Sequence, residues 1–271
     1  MQGAADETRT AGGVAEAPAP TFVDMAGLVE RAQGRIAAYS GEPAVLCEGE
    51  FDRVEFSRRT GFVASGRGAP EVILGPETAV ELGHPSVASH SAVLCTERAA
   101  LVRHGRVTCL GPDIDALVQG ARQPFAQLVL LGLAPGGRPD PFDLENAQYL
   151  TNRLPGHMVR SVPGRLWVRI GKAALARGMS LKTVGRALIA AYEADFEDVA
   201  AVEVLFVTAS TREVESLAPL ATEAAVLAGR HKKLVLSPDG EIECTELNCE
   251  TCDERAVCDN IRDVARRRRR R

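Results

Sequence analysis

The sequence predicts an α/β fold: a layered, mixed or mostly parallel sheet flanked by helices, with a small cysteine-rich loop near the C-terminus. Three observations lead there. Strand-like and helix-like stretches alternate along most of the 271 residues. The run "FAQLVLLGL" (Phe125–Leu133) is apolar for a strand's length, which suits a strand covered on both faces. The stretch "SLKTVGRALIAAYEADF" repeats Leu181, Val184, Leu188, Ala191 and Tyr192 at helical spacing.

The elements follow in order. Residues 1–21, "MQGAADETRTAGGVAEAPAPT", are rich in Ala, Gly and Pro and read as a disordered tail. "MAGLVERAQGRIAAY" sets Met25, Leu28, Val29, Ile36 and Tyr39 near one helical face. "PAVLCEG", "RVEFS" and "EVILG" read as short strands broken by Gly61, Gly66, Gly68 and Pro70. "SAVLC" reads as a further strand, "ERAALVRHG" as a short helix ending on Gly105, and "RVTCLGPDI" as a strand running into a turn. After the apolar run, "APGGRPDP" is an exposed loop, and "FDLENAQYLTNRL" is a helix capped by Asp140 or Asp143. "RLWVRIG" and "AAVEVLFVTAS" are strands, and the first carries the only tryptophan, Trp167. "TREVESLAPLATEAAVLAG" is helical, with Pro219 starting a new helix or kinking this one. "KKLVLSPDGEIECT" is a hairpin over Pro238-Asp239-Gly240. The expected organisation is one α/β body over 22–240, with a division near 122–140 left open. A four-cysteine segment over 241–264 and an arginine tail over 265–271 follow.

Apolar residues make up 45% of the chain, enough for a buried core, and aromatics only 4%, so that core is built mainly from Ala, Val and Leu. A net charge of −4 argues against a nucleic-acid binder with a basic surface all round. No apolar run approaches the roughly twenty residues that span a bilayer, and no secretory leader is evident, so a cytoplasmic protein is expected.

In that compartment thiols stay reduced, and clustered cysteines read as a metal site before they read as disulfides. Cys244, Cys249, Cys252 and Cys258 form C-x4-C-x2-C-x5-C within one loop. A zinc site more often splits its ligands into two distant pairs, whereas one loop wrapping a cluster is how iron–sulfur centres are commonly held. The spacing therefore favours an iron–sulfur cluster, of 4Fe-4S type, with structural zinc as the alternative and unligated thiols behind both. Cys47, Cys95 and Cys109 stand alone in apolar contexts and read as structural thiols.

No phosphate-loop, dinucleotide-binding, nucleophile-elbow or H-E-x-x-H pattern is present, and no catalytic residue is identifiable. His84 and His90 bracket the small-residue loop "PSVAS" and could line a pocket, although loop histidines are usually without function. Arg153, Arg160, Arg165, Arg169, Lys172 and Arg177 crowd the middle of the chain, with Lys182 and Arg186 on the following helix. They read as a solvated basic face or as a docking surface for an acidic protein or phosphorylated cofactor.

The stretches "ETAVELGHPSVASHSAVL", "GRVTCLGPDI" and "LWVRIGKAALARGMSLKTVGRALIAAYEADFEDVAAVEVLF" together resemble the middle region of the carbon monoxide dehydrogenase/acetyl-CoA synthase beta subunit, in order from about Glu71 to Thr208. The most specific part is "WVRIGKAALARGMSLKTVG". The resemblance implies a scaffold from a family that assembles acetyl-CoA from a methyl group, CO and coenzyme A. The nickel chemistry of that family uses a Cys-Gly-Cys in a separate domain. No Cys-x-Cys occurs here, so a complete synthase is not expected. The same resemblance gives Arg165, Arg169, Lys172 and Lys182 a contact role towards coenzyme A or a redox partner. The expectation is an iron–sulfur accessory or electron-transfer protein of CO or one-carbon metabolism with a redox or corrinoid protein partner. The alternative is a non-catalytic scaffold stapled by zinc.

Overall fold

The computed structural model describes residues 22–65, 71–162 and 165–228, together with two short strands, Val235–Leu236 and Ile242–Glu243. Helix α1 (Ala26–Ala38) turns Leu28, Val29 and Ala32 inward. Strand β1 (Ala44–Cys47) follows, then helix α2 (Arg53–Thr60) at "RVEFS", where alternation predicts a strand. Local bonds decide against the strand. The Asp52 carboxylate accepts from the Glu55 N–H at 2.9 Å, Glu55 pairs with Arg58, and Gly61 ends the helix at φ 74°. "EVILG", also expected as a strand, is irregular chain leading into a 3-10 turn at Gly75–Glu77.

Next come β2 (Thr78–Leu82), β3 (Ser89–Thr96), β4 (Val107–Leu110), β5 (Arg122–Gln123) and β6 (Phe125–Leu133). The helix expected at "ERAALVRHG" is reduced to a 3-10 turn, Ala99–Leu101. Helix α3 (Pro141–Asn146) is capped by Asp140, which accepts from the Phe142 N–H, and continues as a 3-10 stretch, Ala147–Arg153. Strand β7 (His157–Val162), which no sequence pattern marked, pairs with β8 (Arg165–Gly171). The rest runs α4 (Lys172–Ala176), α5 (Leu181–Asp195) with Ser180 as its cap, β9 (Val199–Val207), α6 (Thr211–Glu215) and α7 (Ala218–Leu227), with Pro219 in the first turn of α7. The strands β10 (Val235–Leu236) and β11 (Ile242–Glu243) pair antiparallel on either side of Pro238-Asp239-Gly240.

The strands form two mixed sheets. One has five strands in the order β1-β4-β9-β6-β3, and the other has four in the order β5-β2-β8-β7. Parallel pairs (β3 with β6, β4 with β9, β2 with β5) stand beside antiparallel ones (β6 with β9, β2 with β8). All nine residues of β6 are buried, as its unbroken apolar run requires.

Helices cover both faces of the five-stranded sheet. Gly185 of α5 lies against Val107, which sits opposite Val204 in the β4–β9 register. Glu203, on the other face of β9, accepts from the Gln33 side chain of α1 at 3.2 Å and from the Arg103 N–H at 2.9 Å. The two sheets meet where the Ser89 hydroxyl of β3 donates to the Leu166 carbonyl of β8 at 2.9 Å and accepts from the Leu166 N–H at 3.2 Å.

Cys95 and Cys109 are buried in β3 and β4, and Cys47 is half-buried. Burial pushes the Cys109 thiol up to about 11, against a hydrogen bond with Thr208, so it stays protonated and inert. Cys244, Cys249, Cys252 and Cys258 and the arginine tail lie outside the described residues. Among the described residues, no helix is long and apolar enough to cross a membrane.

Candidate functional site

Strand β8 alternates charge and oil. Leu166, Val168 and Ile170 point into the core, and Arg165, Trp167 and Arg169 occupy the opposite face. Register supplies their neighbours. Arg169 lies opposite Glu81 of β2, and Glu81 lies opposite Arg122 of β5. On the other side, Trp167 lies opposite Arg160 of β7. Four arginines, one glutamate and the single tryptophan thus share one face of the four-stranded sheet.

Glu81 is the hub of this face. Its Oε1 accepts from the Trp167 indole N–H at 3.0 Å and from Arg169 Nε at 2.9 Å, and its Oε2 accepts from Arg122 Nε at 3.3 Å. Burial acts to raise the pKa of this carboxyl. The hydrogen bonds from Arg169 and Trp167, with the charges of Arg169 and His84, outweigh it and hold the group below its ordinary value. The Arg169 guanidinium stacks over the Trp167 ring at 4.6 Å, and its Nη1 also donates to the Ile73 carbonyl at 3.1 Å. His84 meets the Trp167 ring edge-on at 5.5 Å, and its Nδ1 lies 2.7 Å from the Ser86 hydroxyl. Arg122 reaches the same hydroxyl at 3.4 Å.

One carboxylate therefore faces four guanidinium groups. Arg169 and Arg122 share Glu81, while Arg160 and Arg165 have no carboxylate partner among the described residues. A face that carries a guanidinium–indole stack and a surplus of guanidinium donors suits phosphate groups, which accept several N–H bonds at once.

The structure brings Arg165 and Arg169 together on β8. Lys172 opens α4 directly after that strand, with its side chain exposed. Lys182 lies in the first turn of α5, on the five-stranded sheet, and no hydrogen bond or ion pair among the described residues links it to the arginine face. Other members of the basic stretch are dispersed: Arg153 donates to the Ala64 carbonyl, and Arg186 stacks over Phe51 at 5.0 Å. His90 belongs to β3, not to a loop, and meets Glu215 at 3.1 Å. Glu81 and Arg122 were invisible to sequence reasoning, because only strand pairing brings them to the tryptophan.

A second polar group lines a cavity of about 270 Å³. There Glu193 joins Arg53 at 2.6 Å and His104 at 3.4 Å. Burial raises the Glu193 pKa against both partners. The His104 Nδ1 and Glu193 Oε2 atoms are buried without a hydrogen-bond partner among the described residues, and the ion pairs of Glu193 fasten α5 to the loops beside it. No set of three His, Cys, Asp or Glu among the described residues is arranged to hold a metal.

Comparison with known proteins places the arginine face in a recognised region. The family model described as "CO dehydrogenase/acetyl-CoA synthase complex beta subunit" matches residues 69–213. The chain is 27% identical over 152 residues to acetyl-CoA decarbonylase/synthase complex subunit beta 2 of Methanocaldococcus jannaschii, covering 54% of this chain and 31% of that protein. It is 27% identical over 152 residues to subunit beta 1 of the same organism, covering 54% of this chain and 19% of that protein. The Archaeoglobus fulgidus subunit beta is 27% identical over 135 residues, covering 48% of this chain and 25% of that protein. The match thus spans less than a third of each curated relative.

Proposed function

The chain belongs to the CO dehydrogenase/acetyl-CoA synthase complex beta subunit family, and from that membership we propose that it is a beta-subunit-like accessory protein of one-carbon metabolism whose arginine face takes the phosphate groups of coenzyme A. The observation that supports this reading is the cluster around Trp167, which lies inside the matched stretch and sets Arg160 and Arg165 beside the Trp167–Arg169 stack without a carboxylate partner among the described residues. The relatives are named as subunits of a decarbonylase/synthase complex, so a protein partner, of redox or corrinoid type, is part of the same proposal.

The chemistry asked of the face is binding and orientation. Arginine forks grip phosphate oxygens through parallel N–H bonds, and the indole–guanidinium stack keeps one fork from swinging free. Because Trp167 is the only tryptophan, its emission reports on this face alone. Titration of the protein with coenzyme A should change that emission. Replacing both Arg160 and Arg165 with Ala should weaken the binding by roughly tenfold or more, with the wild-type salt dependence reduced. An emission that coenzyme A leaves untouched, together with no heat of binding, both in the wild-type protein and in a variant lacking the Glu81 charge, would remove this reading.

The cysteine segment adds an iron–sulfur, electron-transfer role to the proposal. Four thiolates from Cys244, Cys249, Cys252 and Cys258 form a donor set suited to an iron–sulfur cluster, which would supply electron transfer when bound. Protein isolated without oxygen should carry stoichiometric iron and acid-labile sulfide. The Cys249→Ala variant should lose both. One zinc per chain in place of iron would assign the segment a purely structural role.

A further inference from the structure

Resting on the phosphate-binding reading of the arginine face, we infer that Glu81 is its built-in competitor: the carboxylate occupies, within the protein, donors that an incoming phosphate would otherwise use.

Three donors from two neighbouring strands converge on this one carboxylate: the Trp167 indole N–H, Arg169 Nε and Arg122 Nε. That is the coordination a phosphate oxygen pair receives from an arginine-lined site. The side chain is held firmly. It is well shielded from solvent, and its partners keep it ionised below the ordinary carboxylate range. A ligand phosphate seated between Arg169 and Arg160 therefore meets a fixed negative charge within the same cluster. It must either bind beside that charge or displace it from the two guanidinium groups. Each route makes the affinity of the face lower than its arginines alone would give.

A second role for Glu81, holding Trp167 and Arg169 in place, predicts the opposite sign, which makes the inference testable by one substitution. Glu81→Gln keeps the length, the planar shape and an acceptor for the Trp167 N–H, and removes only the charge. Glu81→Asp keeps the charge and shortens the reach. Coenzyme A is the probe, read by Trp167 emission and by calorimetry at low salt. Glu81→Gln should bind about fivefold more tightly than wild type, the size of one partly exposed charge contact, and Glu81→Asp should stay near the wild-type affinity. Binding by Glu81→Gln alone, with wild type silent, supports the inference in its strongest form. If wild type binds and Glu81→Gln binds equally or more weakly, Glu81 is a positioning residue and the competitor role is wrong, while the phosphate reading stands. Tightening of Glu81→Asp to the level of Glu81→Gln would also overturn it, because charge would not be the cause. Silence from wild type and Glu81→Gln together would remove both readings.

Discussion

Acidification from pH 7 to pH 4 should cost the protein roughly 3 kcal/mol of stability through His157 alone. The imidazole is fully enclosed at the start of β7, and burial pushes its pKa down to about 4 from an ordinary 6.5, against a hydrogen bond with the Thr151 carbonyl. The folded protein therefore disfavours the proton that the unfolded chain accepts. Above about 6.5 both states carry a neutral ring and the stabilisation is fully present. As the pH falls below that point the unfolded state gains the proton first, and stability drains away until the folded ring also titrates near 4. Urea midpoints at pH 7 and 4.5 should fall much less in His157→Asn, which has no charge to gain. Parallel pH curves for the two proteins would show that the ring is not the source. Glu81 adds to acid lability over a lower range, since its folded pKa lies below the ordinary carboxylate value.

Replacing Gly83 with Ala should be the most damaging single-methyl change near the arginine face. Gly83 adopts φ +63°, and a Cβ there would stand 2.1 Å from the Leu166 carbonyl oxygen and 2.7 Å from the Ser89 hydroxyl. Those two atoms are the hydrogen-bonded joint between the sheets. The left-handed backbone costs about 1–2 kcal/mol for any residue with a Cβ, and the clash with fixed backbone adds to it. The expected loss is about 3 kcal/mol or more, seen as a fall of roughly 10 °C in Tm. Gly49 is the control: its φ is +80°, but a Cβ there meets nothing within 4 Å, so Gly49→Ala should show the backbone cost only. Equal effects at the two positions would refute the steric argument. Only Gly83→Ala should also shift Trp167 emission, because only it presses on β8.

The parts of the fold that the sequence announced are those with long, unambiguous periods. β6, β8 and α5 fall where apolar runs and helical spacing place them, within a residue or two, and β9 does so except that it ends three residues before "AAVEVLFVTAS" does. Short segments were less legible. "RVEFS" alternates for five residues, which a strand and an amphipathic turn share, and the deciding signals were Asp52 and Gly61 on its flanks. β7 went unmarked because "HMVRSV" buries His157, a residue type that seldom advertises a core position. The basic half of the site was visible in the Arg-x-Trp-x-Arg alternation of β8. Its acidic hub was not. Glu81 and Arg169 are 88 residues apart and Glu81 and Arg122 are 41 apart, and no local pattern records which strands will lie side by side.

That pairing order also governs how the chain can assemble. β9 is the last strand of the five-stranded sheet to be synthesised, yet it lies in the middle, between β4 and β6. Until it arrives, β4 and β6 have no bridge, and the apolar faces of an emerging polypeptide stay open. Closure of this sheet must therefore wait until β9 has left the ribosome, and slow maturation is the natural counterpart of such non-local pairing.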